Sequence, residues 1–243
     1  MFFILGYPKT PQSLFGGISK REVKDLQELT FEVWGDLACF TMPYGKVERL
    51  TYPLPTPSAA RGIISAIYCK PKEFYWQIRR IEVLRPIRYI SFKRNEVKSK
   101  VSDKPIFTDE DRTQRQTVAL KDVRYRISAS IIPREAFVGE EKALYEQAHR
   151  RLKNGKCFMQ PSLGLREFVA YVEEYDPEVH LDKPIPVDMD LGLMIYDVFD
   201  LHDDAVRKKT QTKLSLFHAV MRQGVLNIPD YDSPEVIKEV SSC

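Results

Sequence analysis

The chain has 243 residues, 43% of them apolar and 29% charged, and its 37 Lys and Arg against 34 Asp and Glu leave a formal charge of only +3. This is enough apolar material for a sizeable core, and too small a net charge to name a partner by itself. No run of about 18 apolar residues is present to cross a bilayer, and the opening MFFILG lacks the basic flank and small-residue cleavage site of a secretory signal, so a cytoplasmic globular protein with no membrane partner is expected.

In chain order, residues 1–28 mix Pro8, Pro11, Gly16 and Gly17 with polar residues without a period, and are expected to be an N-terminal extension. "LTFEVWGDLACFTMP" alternates around Phe31, Val33 and Trp34, predicting a strand with Gly35-Asp36 as a bulge. "TPSAARGIISAIYCKP" predicts a helix of about three turns, with Thr56 as N-cap, Pro57 in the first position and Pro71 as the stop. "WQIRRIEVLRPIRYISFKRNEV" predicts two strands broken at Arg85-Pro86. Residues 99–116 are polar without a hydrophobic period, and are expected to be a loop. In "TVALKDVRYRISASII", Val123, Tyr125, Ile127 and Ala129 share one face and Arg124 and Arg126 the other, so this strand is expected to be half-exposed with a basic side. Leu144, Ala148 and Leu152 recur every fourth residue and predict a second helix over 140–153, stopped by Asn154-Gly155. "LREFVAYVEE" predicts the next strand, and "DLGLMIYDVFDL" and "KLSLFHAVMRQGVLNIP" predict a few more.

This order is a βαββαβ plan with an extra hairpin. The predicted class is α+β: a modified ferredoxin-like (RRM-like) domain over 29–174, a small C-terminal antiparallel β-domain over 175–229, and a polar tail over 230–243. Charge is unevenly spread along it. Residues 70–101 hold ten Lys or Arg against three acids, interleaved with Tyr75, Trp76, Tyr89 and Phe92, a combination suited to phosphate contact and base stacking. Residues 173–204 hold eleven acids against the single Lys183, and are either plain surface or a docking face for a basic protein. Cys39, Cys69, Cys157 and Cys243 form no CxxC pair, and His149, His180, His202 and His218 have no ligand spacing, so isolated buried or half-buried thiols, no metal and no cofactor are expected. GxGxxG, GxxxxGK[ST], GxSxG and HExxH are all missing. "KNGKCFMQPSLGLREF" contains glycines that read either as a helix stop and turn or as a backbone approach to phosphate.

Four blocks in register, "KVERLTYPLPTPSAARGIISAIYCKP", "RRIEVLRPIRYISFKRNEV", "RTQRQTVALKDVRYRISA" and "RRLKNGKCFMQPSLGLREF", resemble the CRISPR-associated repeat-RNA-processing family of the subtype I-C (Dvulg) Cascade, within the RAMP superfamily. The resemblance covers about residues 30–229. It implies a metal-independent endoribonuclease that cuts precursor CRISPR RNA at the repeat hairpin and stays on the 5′ handle of the product. Its implied neighbours are the Cascade backbone subunit and large subunit, with target DNA as a further partner in the assembled complex.

Arg61, Ser65 and Tyr68 fall at i, i+4 and i+7 of the first predicted helix and so share a face, which would project a cation and a phenol together. With an ordinary pKa of about 10, Tyr68 needs cations nearby to act as a base, or else it positions the attacking hydroxyl. A lysine would stabilise charge on the phosphorane oxygens. The family's Lys-His pair is matched only in part: its place falls on Ala143 and Leu144, with Lys142 one residue away. Lys142, Tyr145 and His149 at i, i+3 and i+7 suggest His149 as proton donor to the leaving 5′ oxygen. The expected catalytic set is Tyr68, Lys142 and His149. RNA contacts are implied at Lys46, Arg61, Lys93, Arg94, Arg115, Gln160 and Arg166. A non-cleaving RNA-binding subunit that caps the 5′ handle is the alternative.

Overall fold

The computed structural model describes residues 27–45, 48–99, 105, 107–109, 111–203 and 213–238. All but the last two residues of the expected N-terminal extension lie outside the described residues, as do Lys46, Cys243 and the end of the expected tail from 239.

The first strand, β1 (Glu28–Ala38), buries Leu29, Phe31 and Val33 through its alternation. It pairs antiparallel with β4 (Arg112–Pro133) in one unbroken register from Glu28↔Ser130 to Ala38↔Leu120. The bulge expected at Gly35-Asp36 is therefore not formed. Gly35 is instead a point of close approach: a Cβ there would lie 2.6 Å from Leu163 Cδ1 and 2.7 Å from the Val169 carbonyl oxygen. Helix α1 (Pro57–Ile67) starts as its sequence predicts, with the Thr56 hydroxyl accepting from the Ala59 N–H at 3.1 Å and Pro57 at the first position. It buries Ala60, Ile63, Ile64 and Ile67, and each large aliphatic so buried contributes about 1.5–3 kcal/mol. The helix ends earlier than Pro71, because Tyr68 is already extended at φ −144° and ψ 115°.

β2 (Phe74–Val83) and β3 (Tyr89–Val97) are separated around Arg85-Pro86, as expected. Both pair with β4, β3 along its first half and β2 along its second, so β4 begins at Arg112 inside the expected loop of 99–116. Helix α2 (Glu141–Lys153) buries Leu144, Ala148 and Leu152 and stops at Asn154, followed by Gly155 at φ +60°. β5 (Tyr171–Glu174) is shorter than the predicted strand. β6 (Met189–Asp197), β7 (Ser215–Arg222), β8 (Val225–Asn227) and β9 (Ile237–Lys238) follow.

The strand order is β5-β1-β4-β2-β8-β7-β6, with β3 continuing on β4 and β9 on β7, and all of these strand pairs are antiparallel. α1 thus joins two strands that have β4 between them, and α2 joins two that have β1 between them. The result is a mixed α/β fold with a mostly antiparallel sheet and few helices. Strands after residue 174 extend the same sheet, and Met194, Phe217 and Leu226 belong to the same core as Phe31, Ile63 and Leu144. Residues 230–238, expected within the polar tail, bury Tyr231 and Val236 and supply β9. Among the described residues no helix is long and apolar enough to cross a membrane.

Candidate nucleic-acid interface

The basic side expected on β4 is not available to phosphates. Arg126 has only 9% of its side chain exposed, and it donates to Glu32 at 2.8 Å, to Glu82 at 3.1 Å, and to the carbonyls of His180 and Asp182. The Tyr175 ring lies 4.2 Å from its guanidinium carbon. Arg124 reaches the same fully buried Glu32 at 2.6 Å. Charges this far from water persist only when paired and hydrogen-bonded, and here the chain around 175–182 closes over them. Arg61 is likewise engaged: its guanidinium grips Asp197 through two bonds of 2.6 and 2.8 Å. Asp197 is buried and also accepts from the N–H groups of Val198 and Phe199. Arg61 therefore ties α1 to the end of β6 instead of presenting a cation to RNA.

The β3–β4 hairpin is more open. Lys93 is exposed and has no carboxylate within ion-pair distance among the described residues, and Arg166 is exposed in the loop beyond α2. Arg94 pairs with Glu167 at 2.6 Å and lies over the rings of Phe92 and Phe168, joining the hairpin to that loop. Arg115 sits 3.6 Å from Glu96, which Arg49 already holds through two bonds of 3.0 and 3.1 Å. Tyr89, Ile90 and Val97 are exposed on the hairpin. Gln160 is exposed, and its amide N–H donates to the Ala170 carbonyl at 3.3 Å.

The three expected catalytic residues stand apart in their contacts. Tyr68 does not continue the α1 face of Arg61 and Ser65. Its extended backbone turns the ring inward, where it is 3% exposed and packs 5.1 Å from Phe74. Among the described residues its buried hydroxyl has no partner at hydrogen-bond geometry, with Lys70 nearby. Burial pushes its pKa above the ordinary 10, while the charges of Lys70 and Arg151 pull it down. Lys142 is 89% exposed, and its ion-pair partner is Glu146 at 4.0 Å. His149 bonds through Nδ1 to Glu174 of β5. The shared face expected for Lys142, Tyr145 and His149 is divided, because Tyr145 is buried and accepts from the Ile131 N–H at 2.8 Å.

A stronger cluster of cations lies at the end of α2 and the start of the glycine-containing stretch, on residues the sequence reading did not name as RNA contacts. Arg150, Arg151, Lys153 and Lys156, at the end of α2, have no carboxylate within ion-pair distance among the described residues. Arg151 Nε donates to the Ile67 carbonyl at 2.7 Å, beside Tyr68. The signal was present as "RRLKNGK", and it is easily read as the ordinary preference of cations for a helix C-terminus. In the same loop Gly164, at φ +87°, comes so close to Cys39 that a Cβ would lie 1.9 Å from its carbonyl oxygen, so this glycine serves chain packing. Cys39 is buried, whereas Cys69 and Cys157 are exposed, against the expectation of buried or half-buried thiols. Among the described residues no three His, Cys, Asp or Glu side chains gather as metal ligands.

Comparison with known proteins adds the family. A family model described as CRISPR-associated protein (Cas_Cas5) matches residues 28–229. The chain is 39% identical over 215 residues to the CRISPR pre-crRNA endoribonuclease Cas5d of Thermus thermophilus, across 84% of this chain and 92% of that protein. It is 36% identical over 232 residues to the protein of the same name from Mannheimia succiniciproducens, across 86% of this chain and 97% of that one. A solved CRISPR-associated protein shares the fold with a TM-score of 0.61 at 21% identity, covering 87% of this chain and 97% of its own. A functionally uncharacterized protein from Streptococcus mutans does so with a TM-score of 0.60 at 24% identity and the same coverage. The matched strand and helix blocks, the sheet they build and the extent of these similarities together make this chain a member of the Cas5d family of CRISPR-associated proteins.

Proposed function

We propose that this chain, like the two Cas5d relatives named as pre-crRNA endoribonucleases, cuts precursor CRISPR RNA, here at the repeat hairpin, and stays on the 5′ handle as a subunit of a type I-C Cascade. The observation that carries this reading is the pairing of Tyr68 with a cationic surface. Its buried hydroxyl feels Lys70 and Arg151, and Arg151 belongs to the cluster of cations at the end of α2. The order β5-β1-β4-β2, with two split crossovers, supports reading residues 29–174 as a modified ferredoxin-like unit, to which 175–229 add a small β-rich part.

In the cut, the 2′ oxygen of one nucleotide attacks the adjacent phosphorus and the bond from phosphorus to the 5′ oxygen breaks. The 2′ proton passes to a base or to water, the 5′ oxygen takes up a proton, and the products carry a 2′,3′-cyclic phosphate and a 5′ hydroxyl. A tyrosine whose pKa is raised by burial is a poor base at neutral pH, so Tyr68 orients the 2′ hydroxyl through a hydrogen bond. At 3% exposure it meets RNA only once the side chains packed around it move aside. Lys142 supplies charge for the phosphorane oxygens and His149 the proton for the leaving group. Lys93, Arg94, Arg115, Gln160 and Arg166 hold the RNA chain. The Cascade backbone subunit, the large subunit and, in the assembled complex, target DNA complete the partners. A second reading, a non-cleaving cap on the 5′ handle, is favoured by the separate engagements of Lys142 with Glu146 and His149 with Glu174.

Incubating repeat RNA with the protein in EDTA separates the two readings. Discrete cleavage that is lost in Tyr68→Phe, at unchanged RNA affinity, supports the nuclease. Tight binding with the RNA left intact supports the cap, and cleavage undiminished in Tyr68→Phe removes Tyr68 from the mechanism.

A further inference from the structure

The C-terminal ends of α1 and α2, the loop from Gly155 to Pro161 and the start of β5 enclose a cleft of about 170 Å³. It is smaller than the roughly 300–1,000 Å³ usual for drug-sized ligands, a size suited to one flat base. Its lining includes the apolar side chains of Ile67, Leu152 and Pro161, all buried. Arg151 and Lys156 stand on its rim without carboxylate partners among the described residues, and the Arg151 side chain is anchored by its bond to the Ile67 carbonyl. Gln160 donates its amide N–H groups to the carbonyls of Ala170 and Pro161, which orients the amide and leaves Oε1 without a partner among the described residues. Apolar side chains, a hydrogen-bond acceptor held in place and two unneutralised cations are together groups that a nucleotide engages.

We propose that this cleft captures a single unpaired nucleotide of the bound RNA: its base enters against Leu152 and Pro161, Gln160 accepts from its amino group, and Arg151 and Lys156 hold its phosphates. The amino group selects adenine, cytosine or guanine over uracil. The inference rests on the RNA-binding reading above and assigns to it a base-reading position that the basic hairpin lacks. Because Arg151 also acts on Tyr68, a nucleotide seated here fixes the register of the RNA relative to that residue.

The test measures binding of repeat RNA across a salt series, with each nucleotide flanking the hairpin replaced in turn. The double variant Arg151→Ala, Lys156→Ala is expected to bind about tenfold more weakly and to lower the slope of log affinity against log salt by about 1.4, since each single-strand phosphate contact contributes about 0.7. Arg151→Lys keeps the charge and retains most of the slope, which guards against a folding defect in the alanine variant. Wild-type protein is expected to show one flanking position where loss of the base's amino group weakens binding about tenfold, and Gln160→Ala, an exposed substitution, to abolish that preference while leaving the others. AMP and CMP, titrated to millimolar concentration, are expected to show no saturable binding, because a lone nucleotide lacks the chain contacts.

Wild-type affinity and slope in the double variant, or an unaltered base preference in Gln160→Ala, overturns the pocket and leaves the RNA-binding reading standing. Saturable mononucleotide binding combined with unaltered RNA binding assigns the cleft to a free nucleotide and likewise overturns it. Failure of wild-type protein to bind repeat RNA at all sinks the function reading, and the pocket with it.

Discussion

The back of the sheet and the end of α2 each carry neighbouring basic residues, yet the two regions use them in opposite ways. Arg124 and Arg126 are two residues apart on β4, and both spend their charge on Glu32, with Glu82 completing the set. Arg150, Arg151, Lys153 and Lys156 crowd the last turn of α2 and its stop, with no acid beside them among the described residues. A strand inside a sheet has neighbours on both sides that can supply counter-charges from distant parts of the chain; a helix end beside an open cleft has fewer. The number of basic residues in a segment is therefore no guide to how much positive charge reaches a ligand.

The comparison breaks most sharply at Arg126. Arg126→Ala removes the cation shared by the buried Glu32 and Glu82, leaving only Arg124 on the first and Arg80 on the second, and is expected to cost about 3 kcal/mol in chemical denaturation. A loss below about 1 kcal/mol, accompanied by weaker RNA binding, would show instead that the back face is an RNA surface. Arg61→Ala should cost about 2 kcal/mol, less than Arg126 because Asp197 keeps two backbone N–H donors. Here a drop in RNA affinity at unchanged stability would return Arg61 to the binding surface.

Burial governs protonation by the same physics. Tyr75 is pushed up to about 12, first by burial and then by Asp232, with Arg134 and Arg79 opposing. The folded state thus holds this proton more tightly than the unfolded chain, whose tyrosines ionise near 10. Its contribution is complete below about pH 10 and is lost as the pH rises toward about 12, where absorbance at tyrosinate wavelengths should rise together with loss of circular dichroism. Ionisation of every tyrosine near pH 10 with the fold intact would contradict this. The smallest effect is expected at Lys93, an exposed cation: Lys93→Ala should weaken RNA binding about two- to threefold and lower the salt slope by about 0.7, with stability changed by less than about 0.5 kcal/mol. An unchanged slope would remove the hairpin from the interface.

Much of the fold was legible because the signals were local. Thr56 and Pro57 open α1, Asn154-Gly155 closes α2, and Arg85-Pro86 separates two strands, each through the conformation of a few adjacent residues. Gly35 misled because a glycine inside a strand can mark a bulge or a close approach, and the choice depends on Leu163 and Val169, more than a hundred residues away. Tyr68 misled because helical spacing was carried one residue beyond the last helical one, Ile67; at Tyr68 the backbone is extended and that face no longer exists. The candidate site was less legible than the fold. Arg61 finds Asp197 136 positions on and Arg126 finds Glu32 94 positions back, pairings that no window of sequence contains.

The amino-acid sequence alone determined the helices, most of the strands, their order, and the blocks that carry the family resemblance, since these follow from backbone preference and the alternation of apolar side chains. Only the tertiary structure decided which cations remain available and that Tyr68 is enclosed. Charge pairing and desolvation depend on what lies within a few ångströms in space, and the sheet brings those groups together from opposite ends of the chain.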